Sequence, residues 1–218
     1  MRAEIARLAS HPVTIVAVTK GFGTEAIRAA LAAGLADIGE NRVQEAVQKQ
    51  EELGVGRQEL GARWHLIGHL QRNKAKLVPG RFELVHSLDS LELATELDRR
   101  AAESVRVLLQ VNVAGELQKS GCTPQEAPAL ARQIAALGKL RLEGLMTMAP
   151  FTDDVEVQRR TFRGLRLLQQ TIKEDGVWLP TLSMGMSGDY ATAVAEGATM
   201  IRLGTALFGP REPTETKG

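Results

Sequence analysis

Eight short apolar runs recur along the chain, and a helical pattern follows nearly every one. That alternation constrains the fold more than any single residue does. The first run, 13–19, is β-branched and almost continuous, the composition of a strand buried on both faces. Residues 24–35 then read as a helix, with Thr24 as N-cap, Ile27, Ala30 and Leu31 on one face, and Gly34 near its end. "ADIGEN" is the second run, followed by a helix from Val43 that stops at Gly54. "RWHLIG" and "LVHSL" are the third and fourth, after which Asp89 and Glu92 form a capping box. "VRVLLQVNV" is the fifth, and Thr123 and Glu126 make a second box with Pro124 at the first helical position. That helix buries Leu130, Ile134 and Leu137. "LEGLMTMA" precedes a long helix over 153–174 that carries Phe162, Leu165, Leu168 and Ile172. "TLSMGMS", a helix over 189–196 and "TMIRLG" complete the series before a last short helix.

Eight strands alternating with helices predict a (β/α)8 TIM barrel. An open, doubly wound sheet is the rival arrangement. No linker or shift of composition marks a second domain, so residues 1–218 read as one, with 1–10 a leading helix and 211–218 a frayed tail. Charge excludes some partners. The 27 basic and 26 acidic residues leave a net +1, which gives no electrostatic reason for nucleic acid or a membrane surface. Cys122 is the only cysteine, so no internal disulfide forms, as suits a reducing compartment. No run approaches the ~20 apolar residues of a membrane span, and the first residues carry no apolar signal core. The expectation is a cytoplasmic monomer.

A barrel does its chemistry at the C-terminal strand ends. Lys20 sits at the first of these. Burial there lowers a lysine's pKa and yields a neutral amine able to condense with an aldehyde, although a solvated strand end would look the same. "SMGMSGD" and "RLGTALFG" close the seventh and eighth strands, where barrels hold phosphate. Ser187 offers a hydroxyl, Gly188 a close backbone approach, and Gly204 and Thr205 amides at a helix start. Arg202 lies two residues before Gly204 and faces the same way by strand alternation. A buried arginine needs a partner, either a carboxylate such as Glu143 or a ligand's ring nitrogen. Amine, phosphate cup and guanidinium together suit one ligand with an aldehyde, an aromatic nitrogen and a phosphate. Pyridoxal 5'-phosphate (PLP) has all three.

At these residues the chain resembles the pyridoxal phosphate homeostasis protein family, which shares its barrel with the N-terminal domain of alanine racemase. The resemblance rests on "VAVTK", "IGENRVQEA", "WHLIGHLQRNK", "VHSLDS", "KSG", "GLMTMAP", "LSMGMSGD" and "IRLGTALFG", which span nearly the whole chain. It implies that Lys20 holds PLP as a Schiff base, that Ser187, Gly204 and Thr205 bind phosphate, and that Arg202 faces the pyridine nitrogen. It also implies intracellular PLP homeostasis with little or no turnover, and apo PLP-dependent enzymes as partners. "GFG" after Lys20 departs from the proline-containing turn common in the family, and the leading helix is shorter.

Other residues admit two readings. Asn41 either lines the pocket or caps the next helix. His65 and His86 read as satisfied core histidines, and Met146, Met148, Met184 and Met186 as barrel packing. "QRNKAK" is a solvated helix start or an anion holder, and Lys119–Ser120–Gly121 part of a mobile lid. Cys122 has no assignable base. Two enzyme classes compete with the carrier. A PLP-dependent racemase needs an acid or base on the ring face opposite the lysine, which the related racemase takes from a second domain. Tyr190, the only tyrosine, is expected beside the phosphate cup rather than over the ring. A class I aldolase usually carries its lysine on a later strand, and the sixth run has none.

Overall fold

The computed structural model describes residues 1–54, 61–116 and 118–210. Its strands are β1 (Thr14–Val18), β2 (Asp37–Glu40), β3 (Arg63–Leu66), β4 (Leu84–Leu88), β5 (Val105–Gln110), β6 (Leu140–Met146), β7 (Thr181–Ser183) and β8 (Met200–Leu203). The helices are α1 (Arg2–Leu8), α2 (Thr24–Ala32), α3 (Val43–Glu52), α4 (Leu91–Arg100), α5 (Ala127–Ala135), α6 (Val155–Glu174), α7 (Tyr190–Ala195) and α8 (Thr205–Phe208). A 3₁₀ helix over Arg72–Leu77 stands between β3 and β4. The strands pair in parallel in chain order, and β8 returns to β1 with Thr14 opposite Met200 and Val16 opposite Arg202. That return pairing makes the (β/α)8 barrel and excludes the open sheet. No helix is long and apolar enough to cross a membrane among the described residues.

Most elements lie where the pattern puts them, with shifted ends. Helix α2 starts at Thr24, but Gly23 is its N-cap and no side chain caps it. It ends in a Schellman motif: Leu35 N–H donates to Ala30 O, Gly34 N–H donates to Leu31 O, and Gly34 takes φ +73°. Ser90, not Asp89, caps α4, accepting from Leu93 N–H at 3.4 Å. Asp154, not residue 153, caps α6 by accepting from the amides of Glu156 and Val157. The Thr123–Glu126 box forms reciprocally, with Thr123 N–H to Glu126 Oε2 at 2.9 Å and Glu126 N–H to Thr123 Oγ1 at 3.3 Å. It closes a turn ahead of α5 rather than inside it. Residues 211–218, read as a frayed tail, lie outside the described residues.

Side-chain alternation splits the buried residues into two compartments. One lies between sheet and helices and contains Phe162, Leu165 and Ile172 of α6 and Ile27 of α2, all fully buried. The other is a small cluster of Leu84, Leu108 and Met146 with Met148 and Met200. On β4, Leu84 shares a face with His86, and on β5, Leu108 shares one with Gln110. The barrel interior is therefore part apolar and part polar, where branched apolar side chains usually dominate.

Gly144 on β6 stands opposite Thr181 on β7. A Cβ there would collide with the Thr181 carbonyl oxygen, whereas one at Gly138 would meet nothing. Gly144→Ala is expected to destabilise the fold by about 1–3 kcal/mol through forced separation of β6 and β7. Gly138→Ala should stay within about 0.5 kcal/mol of wild type. Urea denaturation followed by circular dichroism compares the two.

Candidate functional site

A cavity of about 570 Å³ opens at the C-terminal end of the barrel, a size suited to a small-molecule ligand. Lys20, Asn41, Ser187, Gly188, Arg202, Gly204 and Thr205 all line it, although they come from four strand ends spread over the chain. The strand ends β1, β2, β7 and β8 are consecutive around the closed barrel, so these loops meet.

Buried polar contacts fix the loop that carries Lys20. Lys49 of α3, itself buried, donates to Thr19 O at 2.9 Å, Glu40 Oε1 at 2.7 Å and Glu45 Oε1 at 2.8 Å. Thr19 Oγ1 donates to Glu40 Oε1 at 2.5 Å, and Gly21 N–H to Glu45 Oε1 at 2.9 Å. The residues on both sides of Lys20 are thus clamped to α3 and β2. Burial raises the Glu40 carboxyl above its ordinary range against the pull of Lys49 and Thr19. Its Oε2 has no hydrogen-bond partner among the described residues. Asn41 follows directly. Gly68 packs so closely on the Asn41 backbone that a Cβ could not fit. Arg42, without a side-chain bond, occupies the N-cap of α3, so Asn41 lines the cavity and does not cap.

The loops after β7 and β8 are tied together. Ser187 Oγ accepts from Ala206 N–H at 3.1 Å, which leaves its hydroxyl hydrogen for another acceptor. Asp189 Oδ1 accepts from Met186 N–H at 2.5 Å and holds the "MSGD" turn closed. Burial raises the Asp189 carboxyl above its ordinary range, against the pull of the Met186 amide and of Arg202.

Arg202 is 4% exposed. It does not pair with Glu143, which binds Arg106 and Arg141 instead. Its Nη1 donates to Ser183 Oγ at 2.7 Å and its Nη2 to Thr147 O at 2.9 Å. Burial pulls its pKa down to about 10, which still leaves it charged near neutrality. Ser183 Oγ lies 2.9 Å from His86 Nδ1, His86 Nε2 lies 2.9 Å from His65 Nδ1, and His65 Nε2 lies 3.0 Å from Asp37 Oδ1. Asp37 also binds Arg63, and despite burial its contacts with His65 and Arg63 hold its pKa down at about 2. His65 and His86 are satisfied core histidines, as the pattern suggested. Their partners Asp37 and Ser183 were not legible as such, because they sit on strands far apart in sequence.

The cavity also takes residues that the sequence reading passed over: Ile67, Gly68, His69, Gln110 and Gln158. Met148 and Met186 line it as well, so only Met146 and Met184 are pure packing. Ser120 reaches the cavity, and its loop is stitched down by Lys119 Nζ to Ala149 O at 2.8 Å and Gln110 Nε2 to Ser120 O at 2.9 Å. Tyr190 follows the "MSGD" turn directly, but its side chain does not line the cavity. Its hydroxyl donates to Glu4 Oε2 of α1 at 2.7 Å. Cys122 is buried, and burial pushes its thiol up to about 12. Arg72–Leu77 is a 3₁₀ turn outside the cavity that buries Ala75 in the core and exposes Arg72, Asn73 and Lys76.

Residues 2–212 match the family described as alanine racemase, N-terminal domain. A pyridoxal phosphate homeostasis protein of Pseudomonas aeruginosa is 44% identical over 203 residues, which cover 92% of this chain and 85% of that one. Its counterpart in Aquifex aeolicus is 42% identical over 91% of this chain and 87% of its own. The chain belongs to the pyridoxal phosphate homeostasis protein family. PipY of Synechococcus elongatus, solved with PLP bound, superposes with a TM-score of 0.86 at 39% identity, covering 95% of this chain and 98% of its own. Alanine racemase from Corynebacterium glutamicum shares the fold at 17% identity and a TM-score of 0.75, over 97% of this chain and 60% of its own.

His86 is fully buried between His65, Ser183 and Arg202, and burial, followed by the neighbouring His65 ring and the Arg202 charge, holds its pKa well below 6.5. The unfolded chain then takes up a proton below pH 6.5 that the folded chain refuses, so His86 costs stability as pH falls through that value. Wild-type stability should fall between about pH 7 and pH 5 more steeply than that of His86→Gln, by up to one proton's slope. Urea midpoints across that range measure the difference.

Proposed function

We propose that this protein holds pyridoxal 5'-phosphate in the barrel mouth, covalently on Lys20, and serves PLP homeostasis as a carrier. The observation that carries the reading is one cavity lined by a lysine, a tied pair of hydroxyl- and amide-bearing loops and a buried arginine. The donor set fits the group. Lys20 would hold the aldehyde carbon, Ser187, Gly188, Gly204 and Thr205 the phosphate, Arg202 the ring nitrogen, and Asn41 the ring's flank. Bound PLP supplies an aldehyde that condenses with amines and a ring that draws electrons from the attached carbon. Its occurrence in PipY supports the same ligand here.

The residues favour holding over turnover. A guanidinium with a pKa near 10 donates a hydrogen bond and cannot accept the ring proton, so the nitrogen stays neutral and the electron sink weak. A racemase adds a second acid or base across the ring. Tyr190, the one tyrosine, spends its hydroxyl on Glu4. We therefore read a cytoplasmic, monomeric carrier that passes PLP to apo enzymes, in preference to an amino-acid racemase.

Borohydride reduction of the loaded protein followed by mass spectrometry should find the pyridoxyl group on Lys20. A label mainly on another lysine would overturn the assignment. Thr205→Asp sets a negative charge in the phosphate cup, so PLP affinity should drop at least about tenfold while pyridoxal binding changes little. Equal losses would move the phosphate elsewhere. A chiral assay of the loaded protein on common amino acids should detect negligible racemisation. Turnover near the ~10 s⁻¹ typical of enzymes, abolished in Lys20→Ala, would restore the racemase.

A further inference from the structure

The five groups from Arg202 to Asp37 cross the barrel interior as a single file of hydrogen bonds. Their proton positions follow from donor arithmetic. Arg202 can only donate, so Ser183 Oγ accepts. Ser183 then has one hydrogen to give, and among the described residues its remaining neighbour is His86 Nδ1. His86 therefore accepts at Nδ1 and carries its hydrogen on Nε2. That hydrogen points at His65 Nδ1, so His65 also carries its hydrogen on Nε2 and donates it to Asp37. Every group is satisfied once, and both imidazoles are neutral. The alternative puts a second charge on His65, aims two donors at Ser183 and strands the Ser183 hydrogen. It would also add a cation to an interior that already buries Arg202.

All the bond dipoles in this file point one way, hydrogen toward Asp37 and lone pair toward Arg202. They solvate a cation and an anion that are both removed from water, which is the requirement for keeping a buried guanidinium charged. They also hold Nη1 and Nη2 on fixed acceptors, Ser183 Oγ and Thr147 O, so the orientation of the guanidinium plane is set from inside the barrel. Among the described residues no cavity-wall carboxylate hydrogen-bonds to Arg202, and Asp189 acts on it through charge alone.

We propose that Ser183, His86 and His65 are positioning residues that aim Arg202 at the ligand's ring nitrogen and so set affinity for PLP through that one atom. The inference rests on the reading above that Arg202 faces the ring nitrogen. Its distinguishing consequence is chemical: a ligand without the ring nitrogen should not sense the file. The probe is 1-deaza-PLP, in which a carbon replaces that nitrogen and the aldehyde and phosphate remain.

Binding of PLP and of 1-deaza-PLP is titrated by absorbance in wild type, Ser183→Ala, His86→Phe, His86→Gln and Arg202→Gln. Ser183→Ala and His86→Phe should weaken PLP at least about tenfold and leave 1-deaza-PLP within about twofold of wild type. His86→Gln keeps an acceptor for Ser183 and a donor for His65, and should recover most of the loss. If the file variants weaken both ligands alike while Arg202→Gln weakens PLP alone, the positioning role is wrong and the ring-nitrogen reading stands. If Arg202→Gln weakens both alike, the ring-nitrogen reading itself fails. Nitrogen NMR of wild-type protein labelled at histidine needs no variant to fold. It should find His65 and His86 neutral with hydrogen on Nε2, and a hydrogen on Nδ1 of either would overturn the file.

Discussion

The parallel pairing of β8 with β1 is the contact on which the rest depends. It sets Val16 beside Arg202 and places the loop after β1 next to the loop after β8. Residues at positions 20 and 205 become neighbours across one cavity wall only because the sheet closes. An open sheet with the same strands would leave its first strand's lysine and its last strand's amides without a common pocket. Closure also removes both sheet edges, so no backbone row is left to pair with another chain.

Closure has an electrostatic price, since a barrel this small shuts its interior off from water. A guanidinium at its centre is tolerable only with acceptors on hand. The interior supplies two directly, Thr147 O just after β6 and Ser183 Oγ at the end of β7, and His86 of β4 and His65 of β3 stand behind Ser183. The apolar part of the same interior, Leu84, Leu108 and Met146, fills what the polar file leaves. The result is a barrel whose packing and charge solvation are done by the same layer of side chains.

Much of this was legible in the linear order. Apolar period marked all eight strands because strands buried on both faces have no polar alternation to hide them. The site residues at 20, 187, 188, 202, 204 and 205 stand at strand ends, where barrel geometry gives position a meaning before any coordinate is known. Caps were less legible. Asp89 and Ser90 are adjacent and both suited to capping, and which one caps depends on a backbone angle that composition does not encode. The direction of the Tyr190 side chain was not legible, because a residue one step into a helix can point toward the cavity or away, and Glu4 of α1 draws it away. Asp37 and Ser183 were invisible as partners because their contacts span 28 and 97 residues of sequence.

The clamp around Thr19 carries a further consequence, for selectivity between amines. Besides Lys20, both Lys49 and Lys119 come near the barrel mouth, and on the proposed reading either could compete for the ligand's aldehyde. A condensing nitrogen must present a lone pair, and an ammonium has to lose a hydrogen first. Lys49 has its three hydrogens committed to Thr19 O, Glu40 and Glu45, two of those acceptors being carboxylates. Those three bonds pin its amine in place, and Lys49 does not line the cavity. Lys20 stands on the cavity wall, on a short loop that Lys49 itself braces. One lysine is committed to bracing the loop that carries the other to the cavity wall.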